Sequence, residues 1–395
     1  MPQLTQPADL PPPPFNQTGS VFVNSSIRQT VHATIGGRQI RVRISNAFGV
    51  NDLPVTAATI ALPVSNAAGT NAIISASVQT LTFGGNSSII IPDGGLAVSD
   101  PLGFNANTQT MVTITIFLAQ GQQGNLITSH PSSLTTSWFS VGNQVNAPAF
   151  TDPSTKSAAH WYFISALEVW VPSNATAFAI IGDSITDGIG SDTDHNNRWP
   201  DAVFAKMQKT PSVASIALLS LSATGNRVLE DSLPFGPNAV GRIDRDVLSQ
   251  RGIKYAMIFD GLNDIGMASA SADVQQVIGD RLIQAYKQIA ARVHTFGIPL
   301  FAGTITPFLA FPPYADPQKE VTRQRVNAFI RTSGIFEAVI DFDGILKDPA
   351  NATQLNPTFN SGDFLHPNAA GYQAVANAFD ISIFTTFANG VVGFN

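Results

Sequence analysis

A chain of 395 residues, 44% of them hydrophobic, is long enough for two separate cores. Only 12% of the residues are charged, the formal net charge is −6, and no Lys/Arg run occurs, so neither nucleic acid nor an anionic membrane surface has an electrostatic footprint here. Cysteine is absent, which excludes a thiol nucleophile, a Cys-bound zinc and a disulfide framework.

The N-terminus, MPQLTQPADLPPPPFNQTG, has no basic n-region and no apolar h-region, and no segment reads as a membrane span. Short alternating segments follow. Val31, Ala33 and Ile35 alternate with His32 and Thr34, and Ile40, Val42 and Ile44 alternate with Arg41 and Arg43. Joined by Gly36-Gly37, the two runs predict a β-hairpin. Further alternation at 73–83, 88–91, 111–118 and 163–171, separated by Gly, Asn and Pro clusters, predicts an antiparallel β-sandwich of jelly-roll kind, in a first domain of residues 1–174. Five Asn-x-Ser/Thr sequons occur, at Asn16, Asn24, Asn86, Asn174 and Asn351. That number is near chance for this composition and is weak evidence of secretion.

Over residues 175–395 the rhythm becomes strand–helix–strand. A continuous apolar run at 177–181, and another at 255–259, read as strands buried on both faces, and 213–219, 300–304 and 338–341 read as further strands. Helix-period segments at 198–208, 273–296, 317–332 and 368–379 lie between and after them, the last opened by Pro367. This alternation predicts an α/β, doubly wound parallel sheet with helices on both faces.

In such sheets ligands bind beyond the carboxyl ends of the strands. The first strand runs into Gly182-Asp183-Ser184-Ile185, so Ser184 is a candidate nucleophile; the plain alternative is a polar turn. Gly182 reads as a residue needed for a tight backbone conformation. Ser222-Ala223-Thr224-Gly225-Asn226 follows the second strand. There the Gly225 N–H could serve an oxyanion, or the segment is a simple turn. Gly261-Leu262-Asn263-Asp264 follows the third strand. The Asn263 amide could donate to an oxyanion, or it caps a helix. Asp363 and His366 are three residues apart and can meet across one turn, leaving the second imidazole nitrogen to act as base; the alternative is a surface loop before a helix.

Taken in order, Gly182-Asp183-Ser184, Gly225, Gly261-Leu262-Asn263-Asp264 and Asp363-x-x-His366 resemble the four blocks of the GDSL/SGNH hydrolase superfamily. The likeness spans residues 176–380, with Gly-Asp-Ser-Ile standing where the family has Gly-Asp-Ser-Leu. It implies a flavodoxin-like SGNH-hydrolase domain acting as a carboxylic ester hydrolase. Ser184 would be the nucleophile, His366 the base and Asp363 its orienting partner. The Ser184 and Gly225 N–H groups and the Asn263 side chain would hold the oxyanion, and no metal or other cofactor would be needed. A β-rich half before this domain also resembles secreted GDSL lipase/acylhydrolase proteins. That implies an extracellular protein whose leader is not in this sequence.

Asp187, Trp199 and Phe308 are candidates to flank the substrate. Asp187 could instead shape the turn, Trp199 is more often packing, and Phe308 belongs to a loop with Phe311 and Tyr314 that could form an apolar wall or lid. His195, in an acidic stretch without a calcium-loop pattern, reads as surface loop. Gly-x-Ser-x-Gly, Walker A and His-Glu-x-x-His motifs are absent. The expected partner is an ester: a small ester, an acylated carbohydrate or a lipid. Short acyl chains or acetyl groups on small esters or carbohydrates are expected. A long-chain lipase, or a carbohydrate-binding protein with an inert second domain, are the alternatives. The sequence is silent on oligomeric state.

Overall fold

Alternation puts one face of a strand toward a core, as Gly37–Ser45 shows with Ile40, Val42 and Ile44 buried, whereas the central strands Ser25–Ala33 and Thr110–Leu118 are buried along both faces. The computed structural model describes residues 2–232 and 235–392. It divides into two compact units, residues 1–172 with 193–196, and residues 173–192 with 197–395.

The first unit is antiparallel and β-rich. A six-stranded sheet runs in the order Lys156–Ala158, Ser137–Val141, Ser25–Ala33, Thr110–Leu118, Ala57–Ala61, Gln79–Thr80. In a second sheet Gly37–Ser45 pairs with Leu96–Val98, Leu102–Ala106 and Ile164–Val169. Ile27, Val42, Ile60, Phe104, Ile114 and Phe139 join one apolar cluster drawn from both sheets. The expected hairpin across Gly36-Gly37 does not form. Ser25–Ala33 pairs with Thr110–Leu118 and Ser137–Val141, whereas Gly37–Ser45 lies in the other sheet. A Cβ on Gly36 would come 2.5 Å from the Thr108 nitrogen and 2.7 Å from the Ala106 oxygen. The glycine pair therefore lets the chain cross against a neighbouring backbone, rather than making the tight turn that alternation alone suggests.

The second unit is an α/β sheet of five parallel strands: Thr176–Gly182 (β1), Ile216–Ser222 (β2), Ile253–Phe259 (β3), Leu300–Gly303 (β4) and Ala338–Ile340 (β5). Their order is β2-β1-β3-β4-β5. Phe178, Ile180, Ile181, Tyr255, Met257 and Phe301 are buried in its core, as strands covered on both faces require. The principal helices are Ser184–Asp187 (α1), Trp199–Gln208 (α2), Leu262–Met267 (α3), Ala272–His294 (α4), Pro317–Thr332 (α5) and Ala369–Ala378 (α6). The chain leaves β1 for β2 on one side and returns to β3 on the other. The crevice beyond β1 and β3 is thus the topological switch point. α1 starts there from β1, and α3 starts there from β3.

Gly261 makes the second of these turns. Its φ of +122° is closed to side-chain-bearing residues, and a Cβ would sit 2.5 Å from the Tyr286 hydroxyl. That hydroxyl donates to the Asp260 carbonyl at 2.6 Å, so it has little freedom to retreat. Gly261→Ala should cost about 3 kcal/mol of stability from backbone strain and the clash together. Urea unfolding measures this, and an unchanged midpoint would contradict the account.

Candidate active site

The turn from β1 into α1 is built by hydrogen bonds from its first residues. Asp183 caps α1, its carboxylate accepting from the Ile185 N–H at 2.9 Å, so Ser184 becomes the first helical residue. Gly182 is ordinary strand, not the special conformation expected of it. Space demands the glycine, because a Cβ would meet Thr186 Oγ1 at 2.4 Å and the Phe259 oxygen at 2.9 Å.

His366 enters from the turn before α6. Its Nε2 lies 2.8 Å from Ser184 Oγ, and its Nδ1 lies 2.5 Å from Asp363 Oδ2. A carboxylate at Nδ1 fixes the tautomer with the proton there, so Nε2 accepts and the Ser184 hydroxyl donates. The other Asp363 oxygen accepts from the N–H groups of Leu365 and His366 at 2.9 and 2.8 Å and from the Ser361 hydroxyl at 3.1 Å. Partial burial alone would raise the Asp363 pKa, but the hydrogen bonds from His366 and these N–H groups outweigh it and hold the carboxyl well below its usual range. A hydroxyl aligned on an imidazole whose far side is held by a carboxylate can lose its proton as it attacks a carbonyl.

Donors for a developing oxyanion lie at the ends of the neighbouring strands. Among the described residues, the N–H groups of Ser184 and Gly225 have no protein acceptor. The Gly225 loop is clamped from both sides. Asp187 Oδ2 accepts from the N–H and hydroxyl of Thr224 at 3.0 and 3.1 Å. Asp264 accepts from the N–H groups of Val228 and Leu229 at 2.8 and 2.9 Å. The Asn263 amide donates one hydrogen to the Asn226 carbonyl at 3.0 Å and accepts from the Tyr314 hydroxyl at 2.9 Å, leaving its second N–H uncommitted among the described residues. Burial pushes the Tyr314 phenol up to about 12, so it keeps the proton it donates.

The three expected substrate-flanking residues lie elsewhere. Trp199 has 0% exposure, packs on Phe342 and Phe379, and donates to Thr186 Oγ1 at 3.3 Å. Phe308 is likewise at 0% and packs edge-on against Tyr314. Both are core: Trp199, the first residue of α2, and Phe308, on the loop after β4, are fully enclosed. Asp187, also buried, holds the Gly225 loop.

Sequence reasoning missed Arg242. It is fully buried, donates twice to Asn226 Oδ1 at 3.0 and 2.8 Å, and reaches the carbonyls of Leu221 and Gly182 at 2.5 and 3.3 Å. It thereby ties the ends of β1 and β2 to the Gly225 loop. Its surroundings, Gly241-Arg242-Ile243-Asp244-Arg245-Asp246, read like a solvated helix face, so no sequence signal marks it. Tyr314 was visible as a ring but not as the donor to Asn263.

Asp183, Asp260 and Asp264 are all buried here. Burial raises each carboxyl, with Asp264 reaching about 7, and their mutual repulsion adds to it; Arg242 pulls Asp260 partly back. Asp260 Oδ2 has no hydrogen-bond partner among the described residues. The folded chain therefore keeps protons that the unfolded chain has released above the ordinary carboxylate range. Unfolding in that window releases protons, so stability falls as pH rises from about 4 toward neutrality and levels off above the raised values. Asp260→Asn should remove part of this slope, gaining on the parent protein at pH 8.5 relative to pH 5. Melting temperatures across that range test it, and parallel curves for the two proteins would argue against it.

Residues 180–374 match the GDSL-like lipase/acylhydrolase family. A search of curated proteins gives no match. Similar solved structures include a GDSL-like lipase from Bacteroides thetaiotaomicron, 16% identical over 53% of this chain and 89% of that one, with a TM-score of 0.37. A carbohydrate acetylesterase family member from Sinorhizobium meliloti is 12% identical over 54% of this chain and 99% of that one, TM-score 0.41. A member of the lipolytic G-D-S-L family from Veillonella parvula is 18% identical over 52% and 96%, TM-score 0.35. The family match begins within the strand that delivers Ser184 and ends within the helix that follows His366, and by it residues 180–374 form a GDSL-like lipase/acylhydrolase domain, of the GDSL/SGNH superfamily of carboxylic ester hydrolases.

Proposed function

We propose that the protein is a serine esterase working through Ser184, His366 and Asp363 and an acyl-enzyme, on short acyl chains or acetyl groups of small esters or carbohydrates. The observation that carries the reading is the unbroken run from Ser184 Oγ to His366 Nε2 at 2.8 Å and from His366 Nδ1 to Asp363 Oδ2 at 2.5 Å.

Ser184 Oγ attacks the ester carbonyl carbon while its proton passes to His366 Nε2. Asp363, held ionised by its hydrogen bonds, stabilises the imidazolium. The carbonyl oxygen, now an oxyanion, is received by the Ser184 and Gly225 N–H groups and the free Asn263 N–H. Collapse of the tetrahedral centre breaks the bond to the alcohol oxygen, which takes the proton from His366. Water then attacks the acyl-enzyme, giving a proton to His366, and the acid leaves as Ser184 Oγ recovers that proton.

Burial of Trp199, Phe308 and Tyr314 supports the short-acyl reading, since these rings are spent on the core rather than offered as an apolar tunnel. An extracellular setting is supported by the sequon asparagines Asn16, Asn24, Asn86, Asn174 and Asn351, all of them exposed. The intact mass of secreted protein before and after peptide N-glycosidase treatment checks that point, and an identical mass would remove this support.

Ser184→Ala should abolish hydrolysis of p-nitrophenyl acetate and labelling by a serine-reactive phosphonate. Asn263→Ala should lower kcat by about 10²–10³ with KM little changed, as for loss of one oxyanion donor. Full turnover by purified Ser184→Ala protein would refute the assignment. A loss in Asn263→Ala confined to KM would refute the oxyanion role.

A further inference from the structure

We infer that Phe364 determines specificity, packing against the alcohol part of the ester and favouring alcohols that carry an apolar ring. This rests on the serine-esterase reading above.

Phe364 stands between Asp363 and His366. The turn is locked around it. Asn360 Oδ1 accepts from the N–H groups of Gly362 and Phe364 at 3.0 and 2.9 Å, and Ser361 donates its N–H to the His366 carbonyl at 2.9 Å. Two properties of this residue are unfavourable to folding. Its φ is +67°, left-handed for a bulky residue, and the residue is 50% exposed while the adjacent Leu365 is only 5% exposed. A glycine would remove both the strain and the exposed ring. An exposed aromatic by itself is common. An exposed aromatic held in a strained conformation within two residues of the base is the pattern expected when the ring is needed where it is.

The side of the reaction follows from proton flow. The donors for the oxyanion come from the ends of β1, β2 and β3, whereas His366 Nε2 must deliver its proton to the leaving oxygen. What flanks His366 therefore flanks the alcohol, not the acyl chain. A half-exposed phenyl ring there offers a flat apolar face to a ring on that alcohol.

The test uses the full chain, with Phe364→Gly and Phe364→Tyr. kcat/KM is measured for methyl, cyclohexylmethyl and benzyl acetate, and for p-nitrophenyl esters from acetate to octanoate. Each variant is expressed relative to the parent protein on the same substrate, so that intrinsic ester reactivity cancels. Phe364→Gly should lose ~10-fold for the two ring-bearing acetates, mostly in KM, and under about twofold for methyl acetate. The loss on p-nitrophenyl esters should be the same at every acyl length. Phe364→Tyr should retain the preference, and the Tm of Phe364→Gly should be unchanged or higher. Equal losses for methyl and benzyl acetate, a loss growing with acyl length, or a lowered Tm would each overturn the inference. A parent protein inactive on every ester would overturn the esterase reading itself; a parent active on all of them, with flat variant ratios, overturns only the role of Phe364.

Discussion

The contact between Ser184 Oγ and His366 Nε2, 2.8 Å long, spans 182 residues of chain. A hydrogen bond of this kind contributes only about 1 kcal/mol net, so it cannot draw its partners together and must instead be held by what surrounds it. β1 fixes one partner. The turn before α6 fixes the other, through Asp363, through the Asn368 side chain that caps α6, and through the Tyr372 hydroxyl, which donates to the Ile189 carbonyl at 2.5 Å. A Cβ on Gly190 would strike the Pro367 carbonyl oxygen at 2.2 Å. The loop leaving α1 and the turn carrying His366 are thus in backbone contact, and the separation of hydroxyl from imidazole is set by packing.

Beneath that contact lies a floor that a stability-driven sequence would avoid. Asp183, Asp260, Asp264 and Arg242 are all buried, and replacing such groups by apolar residues of similar volume is often neutral or stabilising. Arg242 explains why a polar floor remains. Three oxygens at the ends of β1 and β2 and in the Gly225 loop, the Gly182 and Leu221 carbonyls and Asn226 Oδ1, point at it, and a guanidinium fork can satisfy all three at once. An apolar residue there would remove both donors from Asn226 Oδ1 and leave the Gly182 carbonyl with only the Ala223 N–H at 3.1 Å. The cost of the buried charges is the cost of a loop fixed before substrate arrives.

Much of this was legible. The strand–helix rhythm after residue 175 gave the parallel sheet, because strands buried on both faces must be continuously apolar and their boundaries were misplaced by three residues or fewer, the largest slip being 213–219 for Ile216–Ser222. Ser184, Gly225, Asn263, Asp363 and His366 stood out because each follows an expected strand or precedes the last expected helix, in the order of the family's blocks. Sheet membership in the first unit was not legible. Alternation reports which face a strand buries but not which strand it pairs with, so Gly36-Gly37 looked like a hairpin turn. Nor was burial of polar residues: Arg242 and the Tyr314 hydroxyl gain their roles only from partners far away in sequence, and Trp199 and Phe308 are apolar residues whose neighbours, not their types, decide between cleft and core.

Two carboxylates near the signature blocks show how the pieces depend on one another. Asp187 lies three residues after Ser184, at the end of α1, and Asp264 ends the block that begins with Gly261. Both reach the loop after β2, one gripping Thr224 and the other Val228 and Leu229. Gly225 lies between these grips, its N–H without an acceptor among the described residues. A block at the end of one strand therefore carries, a few residues on, the group that positions the loop at the end of another. Donors arranged this way need no reorganisation when charge develops on a carbonyl oxygen, which is the condition under which they stabilise it most.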